Sequence, residues 1–265
     1  MISNLNICLF PMTIKWGDKE ENLKCIEKAV SEVHPGTDLL VVPEMFSTGF
    51  MTGDKEEIRT LAERNTGDTI EFLKRLSNEK GIAIAGSFIA DTGGSLYNRA
   101  FFIEPTEDAV FADKRHLFTM AGENKIFSNG DSRMTVRFRG WNISMVICYD
   151  IRFPVWCRNV DNEYDLLLAV ANWPKPRVEA WDHLLKARAL ENLAYVAGVN
   201  CQGTDKAGIL YDGCSCVYDF KGKDISMRSE SYPYIYASLS YEKLENFRSK
   251  FPAWKDADSF SIKID

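Results

Sequence analysis

Two kinds of apolar pattern alternate along this chain. Short unbroken runs at 5–11, 38–43 (DLLVVP), 82–88, 142–148, 166–171 and 195–200 are bounded by turn residues and are too short for helices, so they predict buried strands. Between them the spacing switches to that of helices. Asp18, with Glu21 three residues on, caps a run in which Leu23, Ile26, Ala29, Val30 and Val33 share a face. A second helix is predicted over 68–80, with Ile70, Leu73 and Leu76 inward and Gly81 as its stop. A third is predicted over 179–194, carrying Trp181, Leu184, Leu185, Ala189, Leu190 and Leu193 on or near one face, and a short one over 154–159. Turn residues at 91–94 lead into strands at 96–103 and 110–114, and Arg139-Gly140-Trp141 joins strands at 135–138 and 142–148. Towards the end, turns at Asp212-Gly213 and Lys221-Gly222-Lys223 predict a strand pair, followed by a strand at 235–240 and a helix from Tyr241. Residues 115–131 show no periodicity, and a loop of that length inside a compact domain is usually functional.

Strands and helices that alternate in this way predict an α/β fold with mixed sheets covered by helices. No linker, repeat or low-complexity stretch divides the chain, so residues 1–265 read as a single domain. A composition 45% hydrophobic can fill one large core, and the net charge of -6 argues against nucleic acid as a partner. No run approaches the roughly 20 apolar residues of a membrane span, and the N-terminal segment reads as a first strand rather than a leader. Seven scattered cysteines suit reduced thiols and a cytoplasmic location. Cys214 and Cys216 are the one close cysteine pair, and with no histidine near them in sequence a redox or metal pair is not expected. His34, His116 and His183 are far apart in no ligand spacing, so no metal or other cofactor is expected.

Three reactive residues fall at the ends of three predicted strands: Glu44, Lys114 and Cys148. Each alone has an ordinary reading: a turn cap, a solvated lysine, a packed thiol. Together, at one edge of a sheet, they would form a nucleophilic site. A carboxylate would take the proton of a thiol whose pKa is normally near 8.5, and an ammonium would stabilise the oxyanion that results. The strand-to-turn change at Cys148 would also aim the Tyr149 N–H at that oxyanion.

The segments VVPEMFSTGF, FADKRHLF and VICYDIRFP resemble the three catalytic motifs of the carbon-nitrogen hydrolase (nitrilase) superfamily, in order and across nearly the whole chain. The resemblance implies an α-β-β-α sandwich of two mixed sheets, usually assembled as a homodimer, that hydrolyses non-peptide carbon-nitrogen bonds without a cofactor. It also implies Glu44 as general base, Lys114 as oxyanion stabiliser and Cys148 as nucleophile. Glu123, in MAGENKIF, matches the family's second glutamate. The substrates implied are a small amide and water.

The segments VANWPKPRVEAWDHLLKARALENLAYVAGVN and FRSKFPAWKDADSF further resemble the omega-amidase branch, which acts on monoamides such as 2-oxoglutaramate and 2-oxosuccinamate. The far carboxylate of such a substrate calls for a cation, for which Arg177 is the leading candidate and Arg152 and Lys175 are rivals. Phe46, Phe118 and Trp173 are the expected pocket walls. Cys201 and Cys214 stand where the branch often has other residues, which bears on fine specificity and not on the triad. Competing expectations are an aliphatic amidase, an N-carbamoyl amidohydrolase, a nitrilase, or a binding protein with a retired site.

Overall fold

The computed structural model describes residues 2–229 and 233–264. The strands in chain order are β1 (Leu5–Leu9), β2 (Leu39–Val41), β3 (Ala83–Asp91), β4 (Leu96–Ile103), β5 (Val110–Asp113), β6 (Met134–Phe138) and β7 (Trp141–Ile147). They continue with β8 (Leu166–Ala171), β9 (Tyr195–Asn200), β10 (Gln202–Thr204), β11 (Leu210–Asp212), β12 (Cys216–Tyr218), β13 (Met227–Arg228) and β14 (Ile235–Leu239). The helices are α1 (Lys19–Glu32), α2 (Lys55–Leu61), α3 (Asp68–Lys80), α4 (Val178–Asn192) and α5 (Tyr241–Lys250).

One sheet runs β13-β14-β1-β2-β3-β4-β5 and the other β12-β9-β8-β7-β6, with β10 and β11 forming a separate hairpin. Each large sheet has three adjacent parallel strands (β1, β2, β3 and β7, β8, β9) and antiparallel strands outside them. Alternation along the strands sorts the layers. Ile7, Leu9, Leu39 and Val41 face Ile143, Ile147, Leu168 and Val170 in a core between the sheets. Cys8, Phe10, Leu40 and Val42 pack beneath α1 and α3, while Leu167, Ala169 and Ala171 pack beneath α4. The result is four layers, helix on sheet on sheet on helix. Each fully buried Leu or Ile here contributes about 1.5–3 kcal/mol by leaving water.

The helix starts follow the sequence closely. Asp18 accepts from the Glu21 N–H at the head of α1, and Gly81 closes α3 at φ 71°. Two expectations need correction, and one helix went unread. No α-helix forms over 154–159, where the chain makes turns instead. There Asn159 bonds the Tyr164 backbone at both N–H and C=O, and Asn192 bonds the Asn159 N–H. A segment this short cannot recover the cost of helix nucleation against such competition. Helix α2 goes unread in the sequence because Ile58 is its sole buried residue, leaving no apolar stripe to detect. In α4, Leu190 is exposed while Arg188 and Asn192 are buried, held by bonds to the Ile151 and Cys157 carbonyls.

Candidate active site

Strand ends converge where the sequence expects them to. Glu44 follows β2, Lys114 follows β5, Cys148 follows β7 and Asn172 follows β8. These ends share one edge of the sandwich, where open α/β sheets place their ligands. The turns that carry the side chains are held by specific bonds. Met45, next to Glu44, takes the left-handed conformation at φ 43°, and Ser87 Oγ accepts its N–H at 2.9 Å. The Lys114 N–H donates to the Asn98 carbonyl, and the Lys114 carbonyl accepts from Gly130 at the far end of the loop. Gly130 is required there, because a Cβ would lie 2.1 Å from the Asp113 oxygen.

Cys148 itself sits at φ 46°, a strained position for any residue other than glycine. A five-residue 3-10 turn, Cys148–Arg152, begins at the thiol. Asp150 holds this turn to the lysine loop. Its Oδ2 accepts the Ile147 N–H at 3.1 Å, while its Oδ1 accepts the His116 N–H at 2.8 Å and lies 2.9 Å from the His116 ring. The His116 ring stacks on Phe153 with centroids 3.7 Å apart.

At the centre, the Lys114 ammonium donates to Glu44 Oε1 at 2.9 Å and to both Glu123 oxygens at 2.9 and 3.0 Å, with all three side chains sealed from solvent. Asn98 Nδ2 donates to the same Glu44 Oε1 at 2.7 Å, and the Asn172 N–H donates to Glu44 Oε2 at 2.9 Å. Glu123 Oε2 also accepts the Phe118 N–H at 2.5 Å. Glu123 follows Gly122, whose φ of 75° breaks the loop into two 3-10 turns and so presents the carboxylate.

The electrostatics follow from two carboxylates around one buried ammonium. Desolvation works against charge on Lys114, but Glu123 and Glu44 outweigh it and push its pKa up, so it stays cationic. Burial raises the pKa of Glu123, a shift that Lys114 opposes and Glu44 reinforces. Burial also drives the Cys148 thiol well above the usual range, with the Glu44 charge adding to it and Lys114 opposing. The resting group is therefore a thiol. A thiol held protonated in this way can act as a nucleophile only with a base beside it, and Glu44 is the neighbouring carboxylate.

A cavity of about 510 Å³ opens over this cluster. Glu44, Lys114, Cys148 and Tyr149 lie in its wall, as do Phe118, Trp173, Arg152 and Arg177. The Arg177 guanidinium lies 5.4 Å from the Phe118 ring and that of Arg152 lies 4.9 Å from Trp173. Two expected residues fall elsewhere. Phe46 is fully buried with Leu40 and Val42 among the residues beneath α1 and α3, edge-on to Phe101. Lys175 lies outside the cavity wall, 3.9 Å from Asp212. Sequence reasoning missed Asn98, Asn172 and Asp150. Asn98 left a readable trace: it is in phase with buried Leu96 and Ala100, a polar residue on the inward face of a strand.

A family model for carbon-nitrogen hydrolases matches residues 6–249. The chain belongs to the carbon-nitrogen hydrolase family. Omega-amidase YafV of Escherichia coli K12 is 40% identical to it over 259 residues, spanning 97% of this chain and 98% of that protein. A 2-oxoglutaramate amidase of Bacillus subtilis is 30% identical over 247 residues, spanning 92% and 93%. Among solved structures, XC1258 of Xanthomonas campestris, a CN-hydrolase superfamily protein with an arsenic adduct in its active site, superposes with a TM-score of 0.93 at 35% identity, covering 98% of this chain and 99% of that one. This carbon-nitrogen hydrolase thus has the four-layer α-β-β-α sandwich that its motifs imply, and it is an amidase acting on non-peptide amides. Among the described residues, no helix is long and apolar enough to cross a membrane.

Proposed function

We propose that this amidase is an omega-amidase, releasing ammonia from the terminal amide of a small dicarboxylate monoamide of the 2-oxoglutaramate or 2-oxosuccinamate type. One observation carries the reading. The thiol–carboxylate–ammonium cluster opens into a cavity whose wall also holds two guanidiniums, Arg152 and Arg177, neither within ion-pair distance of a carboxylate among the described residues. A cleft of that kind suits an amide with an anionic far end.

In the reaction proposed, Cys148 Sγ bonds to the amide carbonyl carbon as its proton passes to Glu44. The oxyanion is stabilised by Lys114 Nζ and the Tyr149 N–H. The carbon–nitrogen bond then breaks as Glu44 returns the proton to nitrogen, and ammonia leaves. Water attacks the thioester while Glu44 takes its proton, the carbon–sulfur bond breaks, and the thiolate regains a proton from Glu44. Glu123 orients Lys114 throughout. Arg177 grips the distal carboxylate, with Arg152 as the competing choice, and Phe118 and Trp173 line the acyl site. The enzyme needs no cofactor in this scheme, and its reactants are the amide and water. Residues 1–265 act as one domain, in a cytoplasmic homodimer.

The test is ammonia release from four compounds in parallel: 2-oxoglutaramate, a simple aliphatic amide, an N-carbamoyl amino acid and an aliphatic nitrile. The reading requires 2-oxoglutaramate to have the highest kcat/KM. Faster turnover of any of the other three overturns it.

A further inference from the structure

Asn98 is fully buried on β4 and touches Glu44, Lys114 and Glu123 at once. Its Nδ2 donates to Glu44 Oε1 at 2.7 Å and, at the longer distance of 3.4 Å, to Glu123 Oε1, while its backbone carbonyl accepts the Lys114 N–H at 2.9 Å. The two carboxylates can only accept, so Nδ2 is the atom that faces them. Oδ1 is then left for the Ser87 hydroxyl, which donates to it at 2.9 Å, and Ser87 Oγ in turn accepts the Met45 N–H at 2.9 Å. Met45 follows Glu44 in the chain. These bonds therefore close a ring, from the backbone beside Glu44 through Ser87 and Asn98 back to the Glu44 carboxylate. Ser87 is fully buried as well, so water does not compete for them. The ring leaves the two oxygens of Glu44 unequal. Oε1 accepts from both Lys114 Nζ and Asn98 Nδ2, which fills it, whereas Oε2 accepts one backbone N–H, that of Asn172.

We propose that Asn98 is a positioning residue for the general base: it keeps Glu44 Oε1 occupied, so that Oε2 is the oxygen that takes the Cys148 proton. This rests on the reading of Glu44 and Cys148 given above. In the step concerned the S–H bond breaks, its electron pair stays on sulfur for the attack on carbon, and the proton passes to Oε2. Without the amide the carboxylate can turn on Lys114 and lose its alignment with the thiol.

The experiment measures kcat and KM for the primary amide that wild type hydrolyses fastest, from about pH 6 to 9, with melting temperatures to confirm folding. Asn98→Leu keeps the branched shape and removes the amide. Its kcat is expected to fall at least about tenfold with KM within about twofold. Asn98→Asp separates positioning from packing. The charged groups facing that position are Glu44 at the end of β2, Glu123 in the lysine loop and Lys114 at the end of β5, and the Cys148 thiol that adjoins them is neutral. Burial and two carboxylates outweigh one ammonium there, so the new carboxyl keeps its proton and donates where Nδ2 did. The kcat of Asn98→Asp is expected to exceed that of Asn98→Leu at about pH 6 and to fall toward it as the proton is lost at higher pH. A kcat for Asn98→Leu within about twofold of wild type, a loss confined to KM, or Asn98→Asp no more active than Asn98→Leu at any pH would overturn the proposal. If Asn98→Leu does not fold, Ser87→Ala decides: it removes the bond that orients the amide, and kcat is expected to fall about fivefold, an unchanged kcat overturning the proposal. Glu44→Gln, measured in parallel, is expected to be inactive. Wild-type kcat in that variant would instead sink the reading of Glu44 as the base, whatever the Asn98 variants show.

Discussion

At the scale of single residues, the unusual feature is that the proposed nucleophile, Cys148, is held in its unreactive form. Burial and the Glu44 charge push the Cys148 thiol up, and Lys114, though adjacent, is already engaged by two carboxylates. The direction of the shift sets a pH dependence. A group with a raised pKa stays protonated to higher pH, so the thiolate fraction of Cys148 keeps growing after a free cysteine, at about 8.5, is fully ionised. Alkylation of Cys148 by iodoacetamide, followed by peptide mass spectrometry, is expected to be still accelerating above about pH 9.5. A plateau at or below pH 8 would mean a stabilised thiolate and a different role for Glu44. At this scale Glu44, Lys114, Cys148 and Glu123 were legible because each sits in a recognisable motif at a strand end or loop. Asn172 was not, since its bonds to Glu44 use a backbone N–H and a backbone carbonyl 128 positions away. Phe46 was expected to line the pocket, but it packs with Leu40 and Val42 beneath α1 and α3, on the face that alternation from β2 assigns to it.

Among the elements, β5 and β7 belong to different sheets, yet their ends carry Lys114 and Cys148 into one site. Asp150 is the tie between them, binding the lysine loop with one oxygen and the Cys148 turn with the other. Asp150→Asn leaves one acceptor and turns a donor toward the other N–H, so one of the two anchors is lost. The expected outcome is a fall in kcat of about tenfold or more with KM within about twofold, since the reacting groups separate while the acyl pocket is untouched. Steady-state kinetics on the best amide checks this, and a change confined to KM would contradict it. Most strands and three helices could be read from periodicity because they bury one face or two. The turns after Cys148 could not, because Asn159, Asn192 and Tyr164 fix them through side-chain and backbone bonds that no periodic pattern reports.

For the molecule as a whole, two sheets packed face to face bring segments from both halves of the chain to one edge. Glu44, Lys114 and Glu123 come from the first half, Cys148, Asn172 and Arg177 from the second, so the site exists only when the sandwich has closed. The central claim is that Cys148 becomes acylated during turnover. The direct measurement is intact-protein mass spectrometry of enzyme acid-quenched within the first turnovers of 2-oxoglutaramate, for wild type and Cys148→Ala. The account predicts a transient mass increase equal to the acyl group, mapped to the Cys148 peptide in wild type. In Cys148→Ala it predicts no adduct and ammonia release lowered at least about a thousandfold. An adduct on another residue, or undiminished ammonia release from Cys148→Ala, would contradict it.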